Sequence, residues 1–311
     1  KGDDEPFVME MPKYRLPTLK LIYMIAGAKP VAEIARGRKM AFKDIVVHQG
    51  EDAHADRRMV VGLNLAKQFD AHLTGVYVLS YPTVPGFVQT ELPSEIIEQR
   101  YAEIRAAGEE ARKQFDAAVA REGVPGEFRI MEGDTADAVA LCGRYSDLLV
   151  VGQPDPDHPA PTDGLAEDLL LASGRPILVV PYAGDQSHMG KRVMVAWSAT
   201  RESTRAVHDS MAMLKQAEEV VVFSVNPEDK DHIAGADICT HLARHGVNAT
   251  PRHIVAPDMR VGDSILSAIA DNGIDLLVMG GYGHSRLREL AFGGATRAIM
   301  QSMTCPVMMS H

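Results

Sequence analysis

Beyond Met40, the chain alternates short, continuously apolar runs with longer stretches in which apolar residues recur every three or four positions. Runs such as DLLVV and PILVV are typical of parallel strands buried on both faces, whereas the three-to-four spacing is typical of amphipathic helices. The pattern predicts strands at residues 43–48, 73–78, 127–131, 147–151, 177–180, 192–197, 219–225, 250–255, 275–279 and 306–309. Helices are predicted between them, among them 55–69, 103–123 and 294–303.

The same succession of elements occurs twice. The corresponding runs are KDIVVHQ (43–49) and KRVMVAW (191–197), DLLVVG (147–152) and DLLVMG (275–280), and RPILVV (175–180) and CPVMMS (305–310). A repeated alternation of strand and helix predicts an α/β fold made of two doubly wound domains, each with five parallel strands. The first copy is about 20 residues longer, and the proline-bearing segment 80–99 is predicted to hold this surplus as a loop that leads into a helix.

The domain boundaries follow from the repeat. We predict an N-terminal extension at 1–39, a first domain at 40–184 and a second domain at 190–311, joined by the polar, glycine-bearing linker 182–190. In the extension, LKLIYMIAGA (19–28) resembles a weak signal peptide, but it is shorter than the ~20 apolar residues that span a bilayer. A plain extension is favoured, with an upstream start or a docking arm as alternatives, and no membrane contact is predicted.

The composition narrows the classes of function. A formal net charge of -10 argues against broad nucleic-acid binding, because neutralising phosphates requires an excess of lysine and arginine on some face. The three cysteines, Cys142, Cys239 and Cys305, are scattered and form no CxxC pair. Neither a disulfide framework nor a zinc knuckle is therefore predicted, and a reducing cytoplasm fits best.

The most unusual stretch is GGYGHSRLRELAFGGAT (280–296), which follows a predicted strand directly. Ligands of doubly wound sheets bind beyond the carboxyl ends of the strands, which is where this stretch is expected to lie. It is neither a Walker A loop nor GxGxxG, but Gly280, Gly283 and Gly293 precede a predicted helix whose free amides can bind an anion. The spacing suits a polyphosphate. The alternative is that these glycines only permit tight turns.

The segment DLLVMGGYGHSRLRELAFGGATRAIMQSMTCPVMMS resembles the closing motif of the universal stress proteins, in which a strand is followed by three spaced glycines, a helix and a CPV run. The resemblance extends over both copies, residues 40–182 and 190–311. It implies a tandem universal stress protein in which each domain has a five-stranded parallel sheet of order 3-2-1-4-5 and an adenine-nucleotide alpha-hydrolase-like fold. Many members of that family bind ATP without an established reaction.

The resemblance also implies a nucleotide site in the second domain. The phosphates are expected at the glycines and the helix start, and adenine and ribose beside the ends of the first two strands of that copy. The residues implied are Gly280, Gly283, Gly293, Gly294, Ala295 and Thr296 for the phosphates, with His284, Ser285 and Arg286 between them and Met279 before them, and Trp197, Ser198, Ala199 and Val225 for adenine and ribose. Mg²⁺ is an expected companion of the ATP.

Two positions depart from the family pattern. ATP-binding members commonly have an aspartate where this chain has Ser198, and a serine or threonine where it has Gly294. Each departure removes one side-chain hydrogen bond to the ligand, worth about 1 to 2 kcal/mol. Binding is therefore expected to be weaker than is usual for the family.

The first copy departs further. Asp155 stands at the second motif glycine and Leu165 at the third, and the segment 153–168 is rich in acids. Because negative charge lies where phosphate would bind, no ATP is predicted there. A metal site of Asp155, Asp157 and His158 is the alternative, but a solvated acidic loop is favoured and no metal is predicted.

Other chemistry-bearing residues receive structural interpretations. His241 and His245 are four apart on a predicted helix near Cys239 and could form half of a zinc site, but surface histidines are favoured. His48 ends the first strand and is predicted at a pocket edge. Trp197 is expected either to cap a core or to wall the pocket.

An enzyme is not predicted, because the sequence offers no nucleophile, base and orienting group in a recognisable arrangement. Slow ATP hydrolysis is the most that is expected.

The resemblance implies a cytoplasmic stress-response regulator that binds an adenine nucleotide. The two domains are expected to pack through their last strands as a pseudo-dimer, and a homodimer of whole chains is a further expectation. The alternative is an interaction scaffold, or a carrier of another small ligand, whose pockets are vestigial.

Overall fold

The computed structural model describes residues 42–81, 94–184, 188–227, 234–282 and 294–311. Ala41–His311 form one compact unit. The predictions for residues 1–39, for most of the loop in 80–99 and for the middle of the linker lie outside the described residues. Within the described part of the chain, no helix combines the length and apolar character needed to cross a bilayer.

The described strands form a single ten-stranded sheet of order β3-β2-β1-β4-β5-β10-β9-β6-β7-β8. Every predicted strand is present, with ends that differ by at most one residue. The strands are β1 Asp44–Gln49, β2 His72–Leu79, β3 Gly126–Glu132, β4 Leu148–Gly152, β5 Ile177–Val180, β6 Arg192–Ala196, β7 Glu219–Val225, β8 Ala249–Ile254, β9 Leu276–Gly280 and β10 Val307–Ser310. Each half of the sheet is parallel and follows the order 3-2-1-4-5, so the predicted α/β class is confirmed.

The described helices cover both faces of the sheet. They are α1 Ala55–Phe69, α2 Ser94–Glu122, α3 Thr135–Gly143, α4 Leu165–Ala172, α5 Arg201–Asp209, α6 Met211–Leu214, α7 Ala236–Arg244, α8 Val261–Asp271 and α9 Gly294–Ser302. Helix α2 begins at Ser94 rather than at residue 103, so the predicted loop is wrong from Ser94 onward. The reason is that Ile97, Tyr101 and Ile104 extend the three-to-four apolar spacing toward the start of the segment.

Alternate residues of each central strand enter two different cores. In β4, Leu148 and Val150 pack with α1 and α2, whereas Leu149 and Val151 pack with α3 and α4. All four side chains are fully buried. This two-sided burial explains the continuous apolar runs, because neither face of the strand reaches solvent.

The two halves meet at their last strands. Strand β10 pairs antiparallel with β5, and Met308 lies opposite Leu178 at the centre of this junction. Both side chains are fully buried. The side-chain amide of Gln153 also donates a hydrogen bond of 2.9 Å to the backbone oxygen of Met300, across the two halves. The pairing removes two apolar strand edges that would otherwise be open to other chains.

Candidate functional site

The strand order of the second half reverses between β6 and β9. Ala196, at the end of β6, lies opposite Met279 of β9 and Phe223 of β7. The backbone therefore leaves three neighbouring strands at one edge of the sheet, and the connections to α5 and α9 start there. Such a reversal point opens a crevice beyond the carboxyl ends of the strands, where doubly wound proteins bind ligands.

Three residues without glycine's freedom adopt positive φ at this edge. They are Ala199 (φ 56°) after β6, Asn226 (φ 49°) after β7 and Tyr282 (φ 55°) after β9. The fourth such residue in the described part of the chain, Asp70, caps the C-terminus of α1. Left-handed backbone costs energy for residues with a Cβ, and such conformations are concentrated at functional sites. Sequence reasoning had included Ala199 but missed Asn226 and Tyr282.

The loop after β6 is fixed on one side and open on the other. Trp197 is half-buried against the core, and its amide donates to the Phe223 oxygen at 2.8 Å. Ser198 and Ala199 are exposed. Immediately beyond them, Thr200 caps α5 through a reciprocal capping box, which fixes where the loop ends.

Helix α9 begins beside the loop after β9. Gly294 is exposed at its first position, and an added Cβ would meet no atom of the described residues within 4 Å. Thr296 is buried, and its hydroxyl accepts a hydrogen bond of 3.4 Å from the Tyr282 amide. The first amides of a helix have no intrahelical acceptor and carry partial positive charge, so this position favours an anion.

Gly280 and Gly281 have packing roles as well. A Cβ on Gly280 would lie 2.5 Å from the Ser203 nitrogen of α5, and one on Gly281 would lie 2.4 Å from a methyl carbon of Leu170. Neither glycine has positive φ. The alternative interpretation of the glycines as structural residues is thus correct in part, because the backbone of α5 excludes a Cβ at Gly280 and a Cβ at Gly281 would require the Leu170 side chain to shift.

The structure brings together part of the predicted nucleotide set. At or beside the carboxyl ends of β6, β7 and β9 lie Met279, Gly280, Trp197, Ser198, Ala199, Val225, Gly294, Ala295 and Thr296. Predicted site residues that lie outside the described residues are Gly283, His284, Ser285, Arg286 and Gly293.

The first half contributes charge near this site. Burial, together with the negative charges of Glu167 and Asp168 at the start of α4, raises the pKa of Tyr282 to about 12. Tyr282 therefore keeps its proton at neutral pH. The acidic segment of the first half thus lies close enough to influence the β9 loop of the second half.

The corresponding place in the first half is filled by an ion pair. Arg58 of α1 forms two hydrogen bonds with Asp52, at 2.7 and 2.6 Å, and donates to the His48 backbone oxygen at 2.8 Å. A Cβ on Gly152, the counterpart of Gly280, would lie 2.6 Å from the Arg58 guanidinium. The guanidinium therefore occupies the space over the end of β4.

Two sequence interpretations of histidines need correction. His48 is buried rather than at a pocket edge, and burial, followed by the charge of Arg58, lowers its pKa to about 3. His241 is half-buried, with its ring 5.2 Å from that of His208 and 4.7 Å from that of His245. Only His245 of the predicted pair is a surface residue. The reason is that α7 turns His241 toward α5, which sequence spacing alone does not reveal.

Comparisons with known proteins connect the second half to one family. The model of the universal stress protein family matches residues 240–311. The universal stress protein Slr1230 from Synechocystis sp. is 41% identical over 46 residues, which cover 15% of this chain and 16% of that protein. A model described as the ferrous iron transport protein B C terminus matches residues 1–26, outside the described residues.

Solved structures share the architecture of the whole sheet. A universal stress protein from Archaeoglobus fulgidus superposes with a TM-score of 0.67 at 14% identity, covering 85% of this chain and 94% of that chain. The functionally unknown protein PA1789 from Pseudomonas aeruginosa superposes with a TM-score of 0.53 at 14% identity, covering 86% and 92%. At such identities the likeness concerns the fold alone, an α/β architecture with a large, mostly parallel sheet.

Proposed function

We propose that the chain is a tandem universal stress protein, with an extension at 1–39 and domains at 40–184 and 190–311, that binds ATP in the second domain. The observation that carries this proposal is the edge formed by β6, β7 and β9. Three strained, non-glycine loop residues and the open start of α9 converge there, at the point where the strand order reverses. This combination suits a ligand with an anionic group at one end and a planar aromatic ring at the other.

The polar and apolar parts of the edge support one orientation of the ATP in this proposal. Its phosphates lie at the start of α9, where Gly294 leaves the amides open, and on the glycine loop that includes Gly283. The adenosine moiety lies against Trp197 and Val225 at the ends of β6 and β7. Mg²⁺ accompanies the phosphates in this proposal and binds to their oxygens.

The first domain takes no part in nucleotide binding in this proposal. The side chain of Arg58 fills the space over Gly152, and Asp155 brings a buried negative charge to the loop beyond it. A phosphate group would have to displace the Arg58 side chain and would be repelled by the Asp155 carboxylate. The proposal therefore predicts a stoichiometry of one ATP per chain.

The function is regulatory in this proposal: the protein reports nucleotide state in a stress response in the cytoplasm. Its described cysteines are unpaired, as suits a reducing compartment. The antiparallel pairing of β5 with β10 supports an intramolecular pseudo-dimer. A scaffold with a vestigial second site is the rival function, and a homodimer of whole chains is compatible with either.

Nucleotide retention separates ATP binding from the scaffold function. The full chain, purified without added nucleotide, is precipitated in acid, and the supernatant is resolved by anion-exchange chromatography with absorbance at 260 nm, where adenine absorbs. We expect ATP or AMP in the extract. An extract without adenine nucleotide, from a protein that also fails to retain ATP on dialysis against it, would support the scaffold.

A further inference from the structure

Two imidazoles from separate segments converge on one carboxylate in the first half. His54 precedes α1, and Asp155 and His158 lie in the loop after β4. The distances to Asp155 Oδ2 are 2.7 Å from His54 Nε2 and 2.9 Å from His158 Nδ1. The three potential ligand atoms lie within 4.8 Å of one another. The residues His54, Asp155 and His158 are called the His-Asp-His cluster below.

The central ligand is buried and held in place. Asp155 is only 7% exposed, and its second oxygen accepts a hydrogen bond of 3.0 Å from the Asp157 amide. The side chain of His54 is 22% exposed, whereas that of His158 is 68% exposed. The cluster is thus closed on the side of Asp155 and open to solvent on the side of His158.

A second layer of contacts positions the remaining ligand. The His54 amide donates to the Asp52 carboxylate at 3.1 Å, and that carboxylate is itself held by buried Arg58. The His54 ring also packs 6.0 Å from the Tyr182 ring. Metal-binding residues are characteristically oriented by such outer contacts, which reduce the cost of gathering the ligands.

We propose that the His-Asp-His cluster binds a divalent transition-metal ion, with Zn²⁺ as its best match. Two imidazole nitrogens disfavour Mg²⁺ and Ca²⁺, which take oxygen ligands, and two histidines with one carboxylate are an established Zn²⁺ donor set. Tetrahedral Zn²⁺ with bonds of about 2.0 to 2.1 Å places its ligand atoms about 3.3 Å apart. The two contacts to Asp155 Oδ2 must lengthen slightly, any wider separation within the 4.8 Å cluster must close, and water completes the fourth position from the open side.

The metal gives the degenerate loop a function distinct from nucleotide binding. It links the segment before α1 to the loop after β4, so one ion joins the carboxyl ends of two neighbouring strands of the first half. The sequence had suggested Asp155, Asp157 and His158 as an alternative metal set. In the structure, His54 rather than Asp157 is the third member of the set. The sequence did not reveal this, because His54 is far from Asp155 in sequence.

Zinc titration tests the proposal without nucleotide present. The full chain is freed of metal with a chelator and titrated with ZnCl₂ in a calorimeter, and a parallel sample is titrated with CoCl₂ to record the visible spectrum of a tetrahedral site. We expect saturable binding by the unsubstituted chain. His158→Gln should bind Zn²⁺ at least about tenfold more weakly, and Asp155→Asn should lose the cobalt spectrum.

His253→Gln is the matched control, because it removes an exposed histidine from β8 and should leave zinc affinity unchanged. Since the His158 side chain is largely exposed, its replacement leaves the fold intact, which circular dichroism verifies. Zinc affinity equal to that of the unsubstituted chain in His158→Gln, or no binding by the unsubstituted chain at millimolar zinc, would overturn the proposal. Neither result depends on whether ATP binds to the second half.

Discussion

Replacing Arg58 with alanine lowers the free energy of unfolding by about 3 to 5 kcal/mol, the loss expected when one partner of a buried ion pair is removed. Burial alone would raise the pKa of the Asp52 carboxyl, but hydrogen bonds from Arg58 and its charge hold that pKa below its usual value. Without the guanidinium, a partly enclosed carboxylate loses its charged partner. The His48 oxygen loses its donor, and the space beside Gly152 becomes a cavity.

Urea unfolding followed by circular dichroism measures this loss. Lys113→Ala on α2 is the matched control, because its side chain is 76% exposed and its removal should change stability by less than about 0.5 kcal/mol. A similarly small effect of Arg58→Ala would contradict a structural role for the pair. The Arg58 guanidinium over the end of β4 would then contribute little to the free energy of unfolding.

The second large effect is on ligand binding. Gly294→Asp should weaken ATP binding by at least about tenfold, because a carboxylate within about 4 Å of a phosphate opposes it by up to a few kcal/mol at a protein surface. The substitution should not harm the fold. A Cβ at Gly294 meets no neighbour among the described residues, and a negative charge in the first turn of a helix such as α9 stabilises it by about 0.3 to 1 kcal/mol.

Gly294→Ser is the matched control for this change. It adds a side chain of similar size without charge and supplies the hydroxyl that the family resemblance places there. ATP affinity should be retained or increased, by about tenfold at most for one added hydrogen bond. Equal ATP affinity in the aspartate and serine variants, measured by calorimetry at one salt concentration, would show that the phosphates do not bind at the start of α9.

Local pattern was enough to predict the sheet. The runs LLVV, LLVM and ILVV are apolar at every position because both faces of β4, β9 and β5 are covered, and this signal needs no knowledge of distant contacts. The repeat then placed the glycine loop at the carboxyl edge. The start of α2 was misplaced because the prolines of the preceding segment outweighed a weaker helical spacing.

The finer features of the sites depend on contacts between distant segments. Ala199 and Tyr282 are residue types that rarely adopt positive φ, so their conformation is imposed by the surrounding fold, whereas asparagine at position 226 tolerates it. His54 meets Asp155 across 101 positions of sequence, and Arg58 of α1 reaches Gly152 at the end of β4. No spacing rule within one segment could have found these pairs.

Titration calorimetry of the full chain with ATP tests the central claim most directly. The account predicts one ATP per unsubstituted chain, one or fewer for Asp155→Gly, and no detectable binding for Gly283→Asp, in which a side chain and a negative charge enter the predicted phosphate loop. Unchanged ATP affinity in Gly283→Asp would contradict the account. It would leave the glycines of the second half as residues of turns and close packing only.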